Sequence, residues 1–252
     1  MKKLTEEIIR KCECKKNVNF KKLSWSYQLP EKFIEKYQDK VDWSYISHRQ
    51  RLSEKFIEKY QDKVNWESIS YRQKLSEAFI EKHKDDVNWH WVSHSQKLSE
   101  LFIEKCKDEV NWSKISGSQE LSESFIEKHK DDVDWDFIFA YQKTSSNFIE
   151  KYQNKAIGSK GWMFLSFHKE LSEAFIEKHK NKVNWRCISK RQKLSEDFII
   201  KMKEYIDFNA LPSKNITSKI VNSCYSYIKK VRPIMLKKEL LPEARLYLEM
   251  MQ

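Results

Sequence analysis

A chain of 252 residues with three glycines and four prolines lacks the turn-formers that β-hairpins, sandwiches and α/β crossovers draw on. Long apolar runs are missing too. None approaches the ~18 residues of a membrane span, and the Met1-Lys2-Lys3 start leads into Glu6 and Glu7 instead of an apolar signal core. These absences predict a soluble, cytoplasmic protein with no membrane span, and on that reading the Asn215-Ile216-Thr217 acceptor triplet is chance. Cysteine is sparse and odd in number: Cys12, Cys14, Cys106, Cys187 and Cys224 match no C-x-x-C pair or zinc ribbon. Reduced thiols are expected, as in a cytosolic compartment. No H-E-x-x-H, Walker A or Rossmann pattern occurs. His90 and His94 stand four apart on one short helix, a spacing that can ligate metal, but no third ligand is near in sequence, so a solvated pair is the reading. No catalytic residue, cofactor or metal ligand is therefore assigned, and the expected protein is not an enzyme.

What the chain has in excess is charge, with a net +11. The surplus is not uniform. Residues 1–28 carry +5 and residues 209–252 carry +5, whereas 29–208 carry +1. Within that middle, residues 75–143 hold nine basic and fifteen acidic side chains. Two basic ends flank an acidic belt, which weakens the nucleic-acid signal that a basic net charge normally gives.

An internal period organises this middle. Phe33, Phe56, Phe79, Phe102, Phe125, Phe148, Phe175 and Phe198 are spaced by 23 residues with one gap of 27. Trp43, Trp66, Trp89, Trp112, Trp135, Trp162 and Trp185 share the spacing and the exception. The unit, as in Leu52 to Lys74, reads L-S-E-x-F-I-E-K-x-x-D-x-V-N-W-x-x-I-S-x-x-Q-K. Leu52, Phe56, Ile57, Tyr60 and Val64 make one apolar stripe and predict a first helix of roughly three turns. Ser53 is placed as its N-cap, and Glu54 sits where the helix dipole favours negative charge. A shorter second helix is expected after the Asn65 cap, with Trp66 and Ile69 pointing inward and Ser70 as a small contact residue. Helices shorter than ~12–15 residues are marginal alone, so each pair must cover its stripe with its neighbours. That is the logic of a solenoid.

The expected fold is therefore all-α, an α-solenoid of about nine 23-residue helix pairs with a C-terminal helical cap. Residues 1–28 form a degenerate N-terminal repeat in which Val18-Asn19-Phe20 replaces V-N-W, and residues 4–9 mimic a first helix out of register. Residues 29–208 are the regular array. Residues 209–252 form the cap, with a helical stripe at Ile216, Ile220, Cys224, Ile228 and Val231 and a last helix opening after Pro242. The irregular unit 144–170 is expected to lengthen the turn between its helices at Ile157-Gly158-Ser159-Lys160-Gly161. Function, because inserted loops often carry it, and neutral drift are both open for this insertion.

The motif LSExFIEKxxDxVNWxxIS resembles the tandem short helical repeats of uncharacterised proteins from giant DNA viruses of amoebae. The Lys- and Asn-rich, Gly-poor composition agrees with AT-rich genomes of that group. The resemblance covers roughly residues 29–208 and implies a viral protein acting in a host cell, while supplying no activity.

Two columns near the unit interface read as structural. The Tyr37, Tyr60, His83, Cys106, His129, Tyr152, His179 and Met202 column is expected to pack against the next unit. The Gln50, Gln73, Gln96, Gln119, Gln142 and Gln192 column is expected to hydrogen-bond backbone at a helix end, because a buried amide must be satisfied. Variation instead lies on the second helix, one, two, five and six residues after each Trp. The candidate binding residues are His48, Arg49, Tyr71, Arg72, His94, Tyr141, Phe167, His168, Lys190 and Arg191, and an ordinary solvated face is the alternative. The expected function is a monomeric, non-catalytic scaffold for a host or viral protein partner. RNA or DNA binding through the basic ends and these Arg, Tyr and His positions is the second reading.

Overall fold

The computed structural model describes residues 18–156 and 158–231, with Lys2, Lys3, Arg10 and Cys14 before them. The expected segments at 4–9 and after Pro242 lie outside the described residues. The fold is all-α and repetitive. Second helices are α1 (Phe20–Ser26), α3 (Trp43–Arg49), α5 (Trp66–Arg72), α7 (Trp89–Ser95), α9 (Trp112–Ser118), α11 (Trp135–Tyr141), α13 (Gly158–His168) and α15 (Trp185–Arg191). First helices alternate with them as α2 (Glu31–Lys36), α4 (Glu54–Lys59), α6 (Glu77–Lys82), α8 (Glu100–Lys105), α10 (Glu123–Lys128), α12 (Ser146–Tyr152), α14 (Glu173–Lys178) and α16 (Glu196–Lys201). The only strand pairing among the described residues is a two-residue parallel bridge of Lys2–Lys3 with Tyr27–Gln28.

The chain divides into two compact units, 1–120 and 121–252. In the first, α1, α3, α5, α7 and α9 pack in series, each on the next. In the second, α13 packs between α11 and α15, and α16 packs against α17 (Ser218–Val231). Ile216, Ile220, Cys224 and Ile228 of this closing segment are fully buried, as the stripe predicts.

The apolar stripe was expected to be one helix of three turns, and this is corrected. The first helix is six residues long in most repeats. In α4 it stops at Tyr60 (φ −117°, ψ 31°), whose carbonyl then accepts from the amides of Lys63 and Val64. A hydrogen-bonded turn, not a third helical turn, carries Val64 into the core at 8% exposure. The second helix, at seven residues, is not the shorter of the two. The caps are as expected: Ser53 Oγ accepts from the Phe56 amide at 3.2 Å and Asn65 Oδ1 from the Ser68 amide at 2.8 Å.

The core rows also differ in detail. Fully buried are the isoleucines Ile57 and Ile69 and their equivalents, with Val92 and Leu165 in place of Ile in two units. The column tryptophans, expected to point inward, are half-buried because the indole N–H must find an acceptor, except for Trp162, which is buried. Trp89 Nε1 donates to the Lys84 carbonyl at 3.0 Å on the preceding turn. Each ring lies on the next unit, as where Trp43 packs on Phe56 (6.3 Å between centroids) and Tyr60 (5.0 Å). Tyr60, His83, Cys106, His129, Tyr152, His179 and Met202 are buried and Tyr37 is half-buried, so the column is packing, as expected. It packs against the preceding unit instead of the next, as where Tyr60 meets Trp43 and His83 meets Trp66, each at 5.0 Å.

Three polar ladders lock neighbouring repeats. Gln96 donates through Nε2 to the carbonyls of Ser70 (2.7 Å) and Gln73 (2.8 Å), and its Oε1 accepts from the Leu75 amide (3.0 Å). Gln50, Gln73, Gln119 and Gln192 make the same three contacts. The buried hydroxyl of Ser47 donates to the Trp43 carbonyl (2.8 Å) and accepts from the Asn65 amide of the next unit (2.9 Å). Glu54 and its equivalents accept from the N-cap serine amide one unit on, Ser76 in this case, at 2.6 Å. On the outer surface, Lys59, Lys82, Lys105, Lys151, Lys178 and Lys201 pair with Glu35, Glu58, Glu81, Glu127, Glu150 and Glu177 of the preceding repeat.

The irregular unit corrects a further expectation. Its four extra residues lengthen the second helix rather than the turn: α13 begins at Gly158 and runs eleven residues. Gly161 occupies the position of the Asn cap, so nothing stops the helix from extending backward. A Cβ at Gly161 would lie 2.9 Å from the Ala156 Cα, which makes glycine the residue that fits.

Candidate binding surface

The repeat separates charge between the two kinds of helix. The second helices α1 to α15 carry nine Lys or Arg against two acids, Glu67 and Asp136. The first helices α2 to α16 carry ten lysines against fifteen acids. The acidic belt at 75–143 therefore belongs mainly to first helices and the turns after them, where lysines of the next repeat answer the glutamates.

In the first unit, the candidate residues gather with neighbours that the sequence reading left out. Arg49 lies over the Trp25 ring with its guanidinium carbon 4.0 Å from the centroid, and Trp25 meets Tyr45 edge-on at 5.5 Å. Arg72 covers Tyr71 at 4.4 Å and approaches His48 Nε2 at 3.5 Å. Tyr71 in turn packs on Trp91 at 4.5 Å, whose indole N–H donates to Glu67 at 3.2 Å. His94 pairs through Nδ1 with Ser118 Oγ at 2.9 Å. An open groove of about 530 Å³ runs between Lys21, Trp25, Asp42, Tyr45, His48 and Ser68, its one carboxylate, Asp42, paired with Lys21 at 3.6 Å. Trp25 is half exposed in it.

In the second unit, Tyr141 is 59% exposed and lies between Phe137 and His168, each 5.9 Å away. Phe167 touches His168 at 4.7 Å and carries Arg191 over its face at 4.2 Å. A cavity of about 250 Å³ opens beside Phe167, His168, Arg191 and Lys193. Lys190 is exposed on the last turn of α15 without a hydrogen-bond or ion-pair partner among the described residues.

Electrostatics follow this geometry. Burial holds the His48 ring below the usual imidazole range, and Arg72 and Arg49 push it further down. His168 is lowered in the same way, by burial and then by Lys169 and Arg191. No carboxylate pairs with Arg49, Arg72 or Arg191 among the described residues, and the Arg49 Nε is buried without a hydrogen-bond partner.

The contacts connect the fifth position after one aromatic anchor to the sixth position of the next repeat. Trp25 meets Arg49, His48 meets Arg72, His94 meets Ser118 and Phe167 meets Arg191. Most of these residues are among the candidates expected from the sequence, but Trp25, Tyr45 and Trp91 are not. A signal was present: Trp25 and Trp91 are the two tryptophans outside the V-N-W column.

Fold and surface together define a class, a tandem short-helix repeat protein with packing columns inside and a variable face on its second helices. No protein-family model, curated protein or solved structure matches the chain. No described helix is long and apolar enough to cross a membrane.

Proposed function

We propose that the chain is a non-catalytic helical-repeat scaffold that binds a protein partner through the outward face of its second helices. One observation carries this reading. The repeated residues are occupied in holding neighbouring units together, whereas the second helices carry several varying positions, and four of the five exposed large apolar side chains, Trp25, Tyr71, Tyr141 and Met163, lie on them, Leu101 of α8 being the fifth. Exposed aromatics beside arginine have the composition of interface anchors. Following the motif's resemblance, the partner is a host or viral protein in the cytoplasm of an infected cell, and the scaffold acts as a monomer.

The test replaces Trp25, Tyr71 and Tyr141 by alanine together and compares partner recovery by cross-linking from infected cells. Recovery should fall to background while helical circular dichroism and the melting temperature stay within a few degrees of the parent. Undiminished recovery of the same partner by the folded variant removes the second-helix face as the binding surface. Binding of RNA or DNA is the second reading, favoured by the separation of cations onto the second helices. It requires affinity that falls steeply with salt as counterions are released.

A further inference from the structure

The arginines of the second helices differ from the lysines of the first helices in one respect. Each of the six ladder lysines has a glutamate partner, but Arg49 and Arg72 have none among the described residues, and each instead holds its guanidinium carbon over an aromatic ring, 4.0 and 4.4 Å from the centroid. A guanidinium held over a ring without a carboxylate partner keeps donors of its planar fork available, and that fork can read a carboxylate or phosphate bidentately. His48 sits between the two arginines, 3.5 Å from Arg72, and opens onto the groove with Trp25 and Tyr45.

Resting on the docking face proposed above, we infer that Arg49, Arg72 and His48 form an anion receptor for an extended acidic segment of the partner protein. Spacing selects peptide carboxylates over a phosphate backbone. Neighbouring packed helices lie roughly 8–10 Å apart, and the surface presents one unpaired arginine per helix at α3 and α5. A peptide in the extended polyproline II conformation rises about 3.1 Å per residue with three residues per turn, so a carboxylate at every third position returns to the same face at that interval. A nucleic-acid duplex carries a charge about every 3.4 Å along each strand, more than one cation per helix answers. The rings cannot offer their covered faces to bases, because Arg49 and Arg72 lie on Trp25 and Tyr71. The second unit repeats the device by itself, with Arg191 on Phe167 beside His168.

The experiment measures binding of the full chain to a nine-residue Glu-Pro-Pro repeat peptide, its Gln-Pro-Pro counterpart and a ten-nucleotide single strand at equal ionic strength. The acidic peptide should bind, the Gln peptide should not, and the double variant Arg49→Gln/Arg72→Gln should weaken the acidic peptide by more than about tenfold, the scale of losing charged hydrogen bonds. The parent's His48 ring should titrate higher in the complex, because a bound carboxylate offsets the two arginines. The variant Arg49→Lys/Arg72→Lys, with charge kept and fork lost, should bind between the two. Equal binding of both peptides, no binding of the acidic peptide, or tighter binding of the oligonucleotide through the same arginines overturns the inference. The docking face itself fails separately, if the Trp25, Tyr71 and Tyr141 alanine variant still recovers the partner.

Discussion

At the scale of single residues, the glutamine column does more than cap a helix. Gln96 saturates two carbonyls and one amide that are all removed from water. Leucine fills similar space but leaves those three backbone groups without partners, and each buried orphan costs about 1–3 kcal/mol. Gln96→Leu should therefore lower stability by about 3–5 kcal/mol in a denaturant titration, and Gln96→Glu should also destabilise because it loses both donated bonds. Lys169 is the one departure in the column. It is 7% exposed, donates through Nζ to the Gln142 carbonyl, and has no acceptor atom to offer the Thr144 amide in the way Gln142 serves Leu121. Burial pulls its ammonium down from 10.5 to about 8. Because the folded pKa is the lower, the unfolded chain binds the proton more tightly between the two values, and the parent should gain stability as pH rises from about 8 to 10.5. Lys169→Gln should be more stable than the parent by about 1–3 kcal/mol at pH 7. Its advantage should shrink toward pH 10, and a difference between the two proteins that is flat across that interval refutes the assignment.

At the scale of the element, helix ends decide where the sequence could be read and where it could not. Ser53 and Asn65 announce helix starts by type and spacing, and both caps form. The stop at Tyr60 carries no comparable signal, since no glycine or proline marks it and the apolar stripe runs on through the turn; hence the overlong expected helix. The irregular unit misled for a related reason. Glycines at 158 and 161 suggest a loop, yet removing the Asn cap lets α13 grow backward, and Gly161 serves close packing on Ala156. Gly161→Ala places a methyl 2.9 Å from the Ala156 Cα. Overpacking against backbone costs about 1–3 kcal/mol, so this variant should melt below the parent although alanine is the better helix former. A higher melting temperature would mean that the close approach is not required. The candidate surface was legible as columns and not as contacts. Varying residues pointed to the second helix, but the pairs form at a separation of 24 rather than 23, as in Trp25 with Arg49. A period search shows each column alone and hides the diagonal between them.

At the scale of the whole molecule, the ladders make a prediction that a conventional globular core does not. Within the first unit, the ladder hydrogen bonds recur at fixed separations. They are 18 for serine to the next cap amide, 21, 23 and 26 for glutamine, 22 for glutamate to the next N-cap serine, and 24 for the lysine pairs. All but the 21-residue contact, which closes within one repeat, join a repeat to its immediate neighbour. Excising residues 75–97, one full period, therefore joins Lys74 to Leu98 and restores each ladder with chemically equivalent partners. Gln119 would then clamp Ser70 and Gln73 in place of Ser93 and Gln96, and Trp66 would meet Phe102 in place of Phe79. Stability in such arrays is a sum of unit and neighbour terms, so this deletion should keep a cooperative transition, with a smaller denaturant slope in proportion to the surface removed. Excising residues 75–96 removes one residue fewer and leaves the five inter-repeat separations one position out of register across the junction, with an apolar residue displaced from the buried face. That chain should lose helical signal and cooperativity around the junction. Similar behaviour of the two deletions in circular dichroism and urea titration would show that the repeats do not depend on phased neighbour contacts, and would remove the basis on which the second-helix face is read as free for a partner.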